Sequence, residues 1–124
     1  MQHKILFDTN ILIGIFHKNF QLEKFKEIKQ RPSISAISVT ELFALSGMSN
    51  DEEQMVKHLI AQTNVVPVTE TIAICAGKLA RTRPNKKHRT DLLIAATALE
   101  MNCPLLTYNT RDFATIPRLK LFEV

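Results

Sequence analysis

The chain has 124 residues, enough for one domain with a real core and too few for two, so residues 1–124 read as a single unit. Its hydrophobic content of 45% is that of an ordinary globular protein, and no apolar run reaches the roughly 18 residues of a membrane span. A net charge of +4 is compatible with a polyanionic partner without specifying one. The apolar run near the N-terminus is interrupted by Asp8 and Asn10 and has no small-residue cleavage site after it, so a cytoplasmic location is expected. Cys75 and Cys103 lie in apolar segments without CxxC spacing and read as buried free thiols. His3, His17, His58 and His88 are scattered, which argues against a zinc site or a Cys–His nucleophile pair.

In chain order, Lys4–Phe7 reads as a short buried strand and Thr9 to about His17 as a helix. Phe20, Leu22, Phe25 and Ile28 give the segment from Phe20 to Gln30 the pattern of an amphipathic helix, closed by a break at Arg31–Pro32. Ser33–Ile37 is a strand. Ser38 is placed to cap a helix from Val39 to about Met48, and Asn50 to cap one from Asp51 to Gln62 with Met55, Leu59 and Ile60 on one side. Asp51, Glu52 and Glu53 form a charged first turn and read as solvated. Asn64–Val68 is rich in β-formers but contains Pro67, so it is short or near an edge. Thr69 caps a helix to about Thr82, and Arg83–Arg89 is a loop. Thr90 precedes the most apolar helix, Asp91–Met101, which must be largely buried. Pro104–Tyr108 is a strand, Arg111–Thr115 a turn or short helix, and Leu119–Val124 a last strand. Strands alternating with helices predict an α/β domain on a mostly parallel sheet. Such sheets bind ligands beyond the carboxyl ends of their strands.

Four acids fall at those strand-to-helix junctions: Asp8, Glu41, Asp91 and Asp112. Each also has a plain structural explanation. Ser38-Val39-Thr40-Glu41 has the form of a capping box, in which the glutamate reaches back to the N-cap amide. Asp91 in a first helical turn is favoured by the helix dipole, by about 0.3–1 kcal/mol. Asp112 could cap a short element after Asn109. Asp8 is the hardest to explain structurally, because from Ile5 to Phe16 its only polar neighbours are Thr9 and Asn10. A buried ionised carboxylate is costly unless it is paired or holds a metal.

A cleft with three or four carboxylates suits Mg²⁺ or Mn²⁺, hard ions that take oxygen ligands and complete their shells with water. Such ions activate water and steady the charge on a phosphate under attack. The stretch Arg81 to Arg89 carries five Lys/Arg and a His immediately before Asp91. It reads either as a solvated loop or as a contact to a phosphate backbone beside the site. No P-loop, GxGxxG or GxSxG is present.

Phe7-Asp8-Thr9-Asn10-Ile11-Leu12, Ser38-Val39-Thr40-Glu41-Leu42, Thr90-Asp91-Leu92-Leu93-Ile94-Ala95-Ala96-Thr97-Ala98-Leu99 and Thr107-Tyr108-Asn109-Thr110-Arg111-Asp112-Phe113 together resemble the motifs of PIN-domain ribonucleases. The resemblance is greatest to the VapC-type toxins of toxin–antitoxin pairs, and it runs nearly end to end. It implies an α/β/α sandwich on a parallel sheet and a metal-dependent endoribonuclease activity. By the same resemblance Asp8, Asp91 and Asp112 would hold Mg²⁺ or Mn²⁺, and Glu41 would position or activate water. Thr9, Asn10 and Asn109 would support that shell through hydrogen bonds. A homodimer and a cognate antitoxin are implied as partners. The chain departs from many relatives before Asp91, where it is unusually basic and lacks the glycine often found there.

The expectation is therefore an RNA-cleaving toxin whose substrate enters along a basic rim that includes Arg83, Lys86, Lys87 and Arg89. The first rival is a PIN-like module that binds RNA or protein without cutting. The second is an aspartate-nucleophile phosphatase, which wants a second Asp two residues after the first, where this chain has Asn10.

Overall fold

A run of small, branched and apolar residues before Asp8 leaves no polar side chain to solvate, so it can lie at the centre of a sheet. In the computed structural model, which describes residues 4–17, 31–83 and 89–122, that run forms β1 (Leu6–Phe7). The chain continues through α1 (Thr9–Phe16), β2 (Ser33–Ser35), α2 (Ala36–Phe43), α3 (Asn50–Ala61) and β3 (Asn64–Val66). It then runs through α4 (Glu70–Ala80), α5 (Arg89–Met101), β4 (Leu105–Leu106) and α6 (Thr110–Phe113). The strands form one parallel sheet in the order β3-β2-β1-β4. Leu6 pairs with Ser33 on one side and Leu105 on the other, and Phe7 with Ile34 and Leu106. The edge position of β3 agrees with Pro67 standing just beyond it.

Successive strand residues point to opposite faces, and each face is covered, as a parallel sheet requires. Leu6 and Leu105 join a core with Ile72 and Ala76 of α4, Leu92 and Ile94 of α5, and Phe113. Phe7, Ile34 and Leu106 join another with Ile11 and Leu12 of α1, Leu42 of α2 and Val56 of α3. The result is the expected α/β/α sandwich. Helix α5 is buried along most of its length, at Leu92 and from Ile94 to Ala98. Thr97 is tolerated there because its hydroxyl donates to the Leu93 carbonyl at 2.7 Å.

Several boundaries differ from expectation. Helix α2 starts at Ala36 and ends at Phe43, and its N-cap is Ser35, whose Oγ accepts from the Ile37 amide at 3.1 Å. Ser38 therefore lies inside the helix, fully buried, and the Ser38–Glu41 capping box does not form. The same S-x-x-E spacing does make a capping box at Ser49 and Glu52, so Glu52 is a capping residue rather than a solvated acid. Ser49 also replaces Asn50 as the N-cap of α3. Thr90 is inside α5, not before it. The last segment contributes one parallel bridge, Leu121 to Leu105, instead of a strand. Cys103 is buried but Cys75 is half-buried, and both are free. The helix expected over Phe20–Gln30 lies outside the described residues. Among the described residues no helix is long and apolar enough to cross a membrane.

Candidate active site

From β1 the chain builds outward to β2 and β3, then returns to the other side of β1 as β4. The order reverses between β1 and β4, and a ligand crevice is expected beyond the carboxyl ends of those two strands. Asp8 directly follows β1 and Thr107 directly follows β4. They meet there. The Thr107 hydroxyl donates to Asp8 Oδ2 at 2.7 Å, and Asp8 Oδ1 accepts from the Thr9 amide at 2.7 Å, where Asp8 serves as the N-cap of α1.

Thr107 is itself held from behind. Its oxygen accepts from the Asn109 amide at 2.9 Å and from Asn10 Nδ2 at 3.3 Å, while Asn10 Oδ1 accepts from the Tyr108 amide at 3.3 Å. Asn10 thus ties α1 to the loop after β4. Asn109 reaches Thr107 through its main-chain amide, and its side chain makes no capping bond to α6.

A second threonine links the next acid. Thr9 Oγ1 donates to Glu41 Oε1 at 2.6 Å and stands 2.8 Å from Ser38 Oγ. A hydroxyl has one proton, and that of Thr9 goes to Glu41, so Ser38 is the donor to Thr9. This explains why Ser38 is buried inside α2 instead of capping it. Glu41 is turned toward Thr9 and not toward the start of its own helix.

Asp8 is only 3% exposed. Burial is the main force that pushes its pKa up, to about 6 from an ordinary 3.8. The bonds from Thr107 and the Thr9 amide pull it down, and the charges of Asp91 and Glu41 push it up further. Both those acids therefore act on Asp8 through space. Asp91 lies half-buried in the first turn of α5. Asp112, exposed in α6, shares with Asp91 a groove of about 330 Å³ whose lining includes Leu92, Phe113, Ile116, Arg83 and Arg111. The four acids are thus linked in series: Glu41 to Asp8 through Thr9, Asp8 to Asp91 by charge, and Asp91 to Asp112 across the groove.

Among the described residues no three His, Cys, Asp or Glu side chains stand close enough to form a ready metal cage. The donors that converge are carboxylates and hydroxyls. That set suits Mg²⁺ or Mn²⁺, which bind through one or two carboxylates and keep several waters. A buried carboxyl crowded by two like charges is also what a nearby cation would relieve.

On the expected basic rim, Arg83 is half-buried and clamped. Its Nη1 donates to the Leu79 carbonyl at 3.2 Å and to Thr82 Oγ1 at 2.9 Å, and its Nη2 to the Thr115 carbonyl at 2.8 Å. Arg89 is exposed in the first turn of α5. Lys86 and Lys87 lie outside the described residues. Sequence reasoning gave no role to Thr107 or Arg111, and read Ser38 as a helix cap rather than as a partner of Thr9. Thr107 could have been found, since it opens the same motif as Asn109 and Asp112. Ser38 could not, because its bond to Thr9 spans 29 residues and its local pattern favours a cap.

Comparison with known proteins bears on the family and the fold. The family model described as PIN domain matches residues 5–119. Ribonuclease VapC10 of Mycobacterium tuberculosis is 37% identical over 91 residues, 71% of this chain and 67% of its own. Ribonuclease VapC1 of Methanocaldococcus jannaschii is 31% identical over 128 residues, 98% of this chain and 89% of its own. A ribonuclease VapC of Rickettsia bellii matches more locally, at 59% identity over 34 residues that make up 25% of its length. Among solved structures, VapBC-1 from nontypeable Haemophilus influenzae superposes with a TM-score of 0.81 at 25% identity, covering 97% of both chains. DNA-bound VapBC from Salmonella typhimurium gives 0.82 at 26%, again over 97% of both.

Proposed function

The chain belongs to the PIN-domain family, and from that premise we infer that it is a divalent-metal-dependent endoribonuclease acting as the toxin of a toxin–antitoxin pair. The observation that carries this is Asp8. It is buried at the switch point of a parallel sheet, its ionisation is disfavoured by Asp91 and Glu41, and yet two aligned donors hold it in the geometry of an anion.

Asp8, Asp91 and Asp112 are the residues to hold Mg²⁺ or Mn²⁺. Bound there, such an ion would neutralise charge on the phosphodiester and lower the pKa of a water beside it. Thr107 fixes both the direction and the charge of the Asp8 carboxylate. Thr9 and Ser38 aim Glu41 toward the same crevice, where it orients the attacking water and takes up its proton. Arg89 supports an anionic substrate. A cation in the first turn of a helix opposes the dipole, so its place beside Asp91 is not explained by helix stability. Lys86 and Lys87 would extend the basic approach for RNA, whereas Arg83, expected on the same rim, has its Nη donors committed to Leu79, Thr82 and Thr115. An aspartate-nucleophile phosphatase is disfavoured, because Asn10 is committed to Thr107 and the Tyr108 amide.

The VapBC complexes among the structural relatives support an antitoxin partner for this chain, while a homodimeric toxin and a cytoplasmic setting follow from the family resemblance of the motifs alone. The test is incubation of the purified, antitoxin-free protein with total cellular RNA, with Mg²⁺ or Mn²⁺ and with EDTA, alongside Asp8→Asn. Discrete fragments that need metal and vanish in the variant are expected. Intact RNA in every lane, from protein shown to be folded, refutes cleavage and leaves the non-cutting module.

A further inference from the structure

The groove shared by Asp91 and Asp112 extends beyond what metal binding needs. Its volume of about 330 Å³ lies at the lower end of small-molecule clefts. Its lining is also of two kinds. Leu92, Phe113 and Ile116, core side chains 5%, 1% and 5% exposed, form its apolar floor, while Arg83 and Arg111 contribute planar cations.

Arg83 is not placed as a phosphate ligand. Both protons of its Nη1 and one of its Nη2 are committed to Leu79, Thr82 and Thr115. With most of its edge donors occupied, what it offers a ligand is chiefly its flat face, held rigidly by those bonds. Guanidinium planes and apolar walls are the surfaces on which unstacked RNA bases are held. Arg111 differs: it is exposed and adjoins Asp112, so its charge is available to the sugar-phosphate.

We propose that this groove holds one unpaired nucleobase of the RNA strand, next to the phosphate that the acids address. The base lies against Arg83 and the Leu92–Phe113–Ile116 wall, and Arg111 contacts the backbone beside it. The groove has room for a nucleobase, and a base enters it by leaving its stack and its pairing partner. The proposal rests on the nuclease reading of the four acids and predicts that the enzyme selects loops or unpaired ends.

The test separates the two. Fluorescein-labelled single-stranded RNA oligonucleotides, one intact and a series abasic at each position in turn, are titrated against the non-cleaving Asp8→Asn protein. Loss of the base at one position should weaken binding about ten- to a hundredfold, the usual worth of one stacked base. Thr115→Trp, which fills the groove from an exposed position, should bind every oligonucleotide at the abasic level and so erase that position's effect. Arg83→Lys keeps the charge but not the plane, and should lose most of the same effect. A flat abasic scan overturns the proposal, as does a Thr115→Trp protein that binds like its parent. If wild-type protein cuts RNA and the scan is flat, the groove assignment fails alone. If the scan shows the position and wild-type protein cuts nothing, the nuclease reading fails alone.

Discussion

Thr107 donates its hydroxyl proton to Asp8 across 99 residues of sequence, at 2.7 Å, and so joins the ends of β4 and β1. The bond lies where the strand order reverses, and the other oxygen contacts of Thr107, from Asn10 and the Asn109 amide, leave its proton with one destination.

Thr107→Val, which keeps the shape and removes the hydroxyl, therefore strands the Asp8 carboxylate with one donor fewer. Loss of a hydrogen bond to a charged group costs about 1.5–3 kcal/mol. Cleavage should fall at least tenfold, while Thr107→Ser retains most of it. Equal rates in Thr107→Val and wild type would remove Thr107 from the site.

The raised pKa of Asp8 gives the metal-free protein a specific pH dependence. A carboxyl at about 6 in the folded state and near 3.8 unfolded binds its proton more tightly when folded. Its contribution to stability is fully present below about pH 3.8 and is lost as pH rises through about 6. The contribution is about 2–3 kcal/mol. Urea unfolding in EDTA at several pH values between 4 and 7.5, for wild type and Asp8→Asn, should show the variant gaining on wild type as pH rises. Parallel pH profiles would contradict the burial of Asp8.

Metal should act in the opposite sense. Mg²⁺ or Mn²⁺ needs the ionised carboxylate, so its binding competes with the proton and weakens as pH falls through about 6. Saturation at a hundredfold excess over Kd stabilises by about 2.7 kcal/mol. Thermal unfolding should show a rise in Tm with added ion at pH 7.5, a smaller rise at pH 5, and little in Asp8→Asn. A rise of equal size in Asp8→Asn would place the ion elsewhere.

Ser38 and Ser49 occupy the same S-x-x-E pattern and should behave differently when each becomes alanine. Ser49→Ala loses the cap of α3, costing about 0.5–2 kcal/mol, and leaves cleavage unchanged. Ser38→Ala leaves Thr9 without its donor, lets Glu41 wander and lowers the rate at saturating RNA. Cleavage kinetics and urea midpoints measured on both variants distinguish the two. The same stability loss with full activity in both would make Ser38 merely structural.

The sequence by itself determined the alternation of strands and helices, the burial of α5 and the place of Asp8 directly after β1; Glu41, expected at a junction, lies instead inside α2, and Asp91 stands in the first turn of a helix that follows α4 and not a strand. These are local properties: apolar periodicity, turn residues and propensity act over a few residues, and each is written where it acts. What Ser38, Thr107 and Arg83 do was settled only by the tertiary structure. Ser38 follows its local pattern as a cap until the packing of α2 against α1 offers it Thr9. Thr107 is one threonine among many until β4 pairs beside β1 and brings it to Asp8. Arg83 reads as a loose cation until the fold sets it beside the Thr115 carbonyl. Hydrogen bonds of this kind depend on angstrom-scale distance between segments far apart in the chain, and the strand order that sets those distances is a property of the whole sheet.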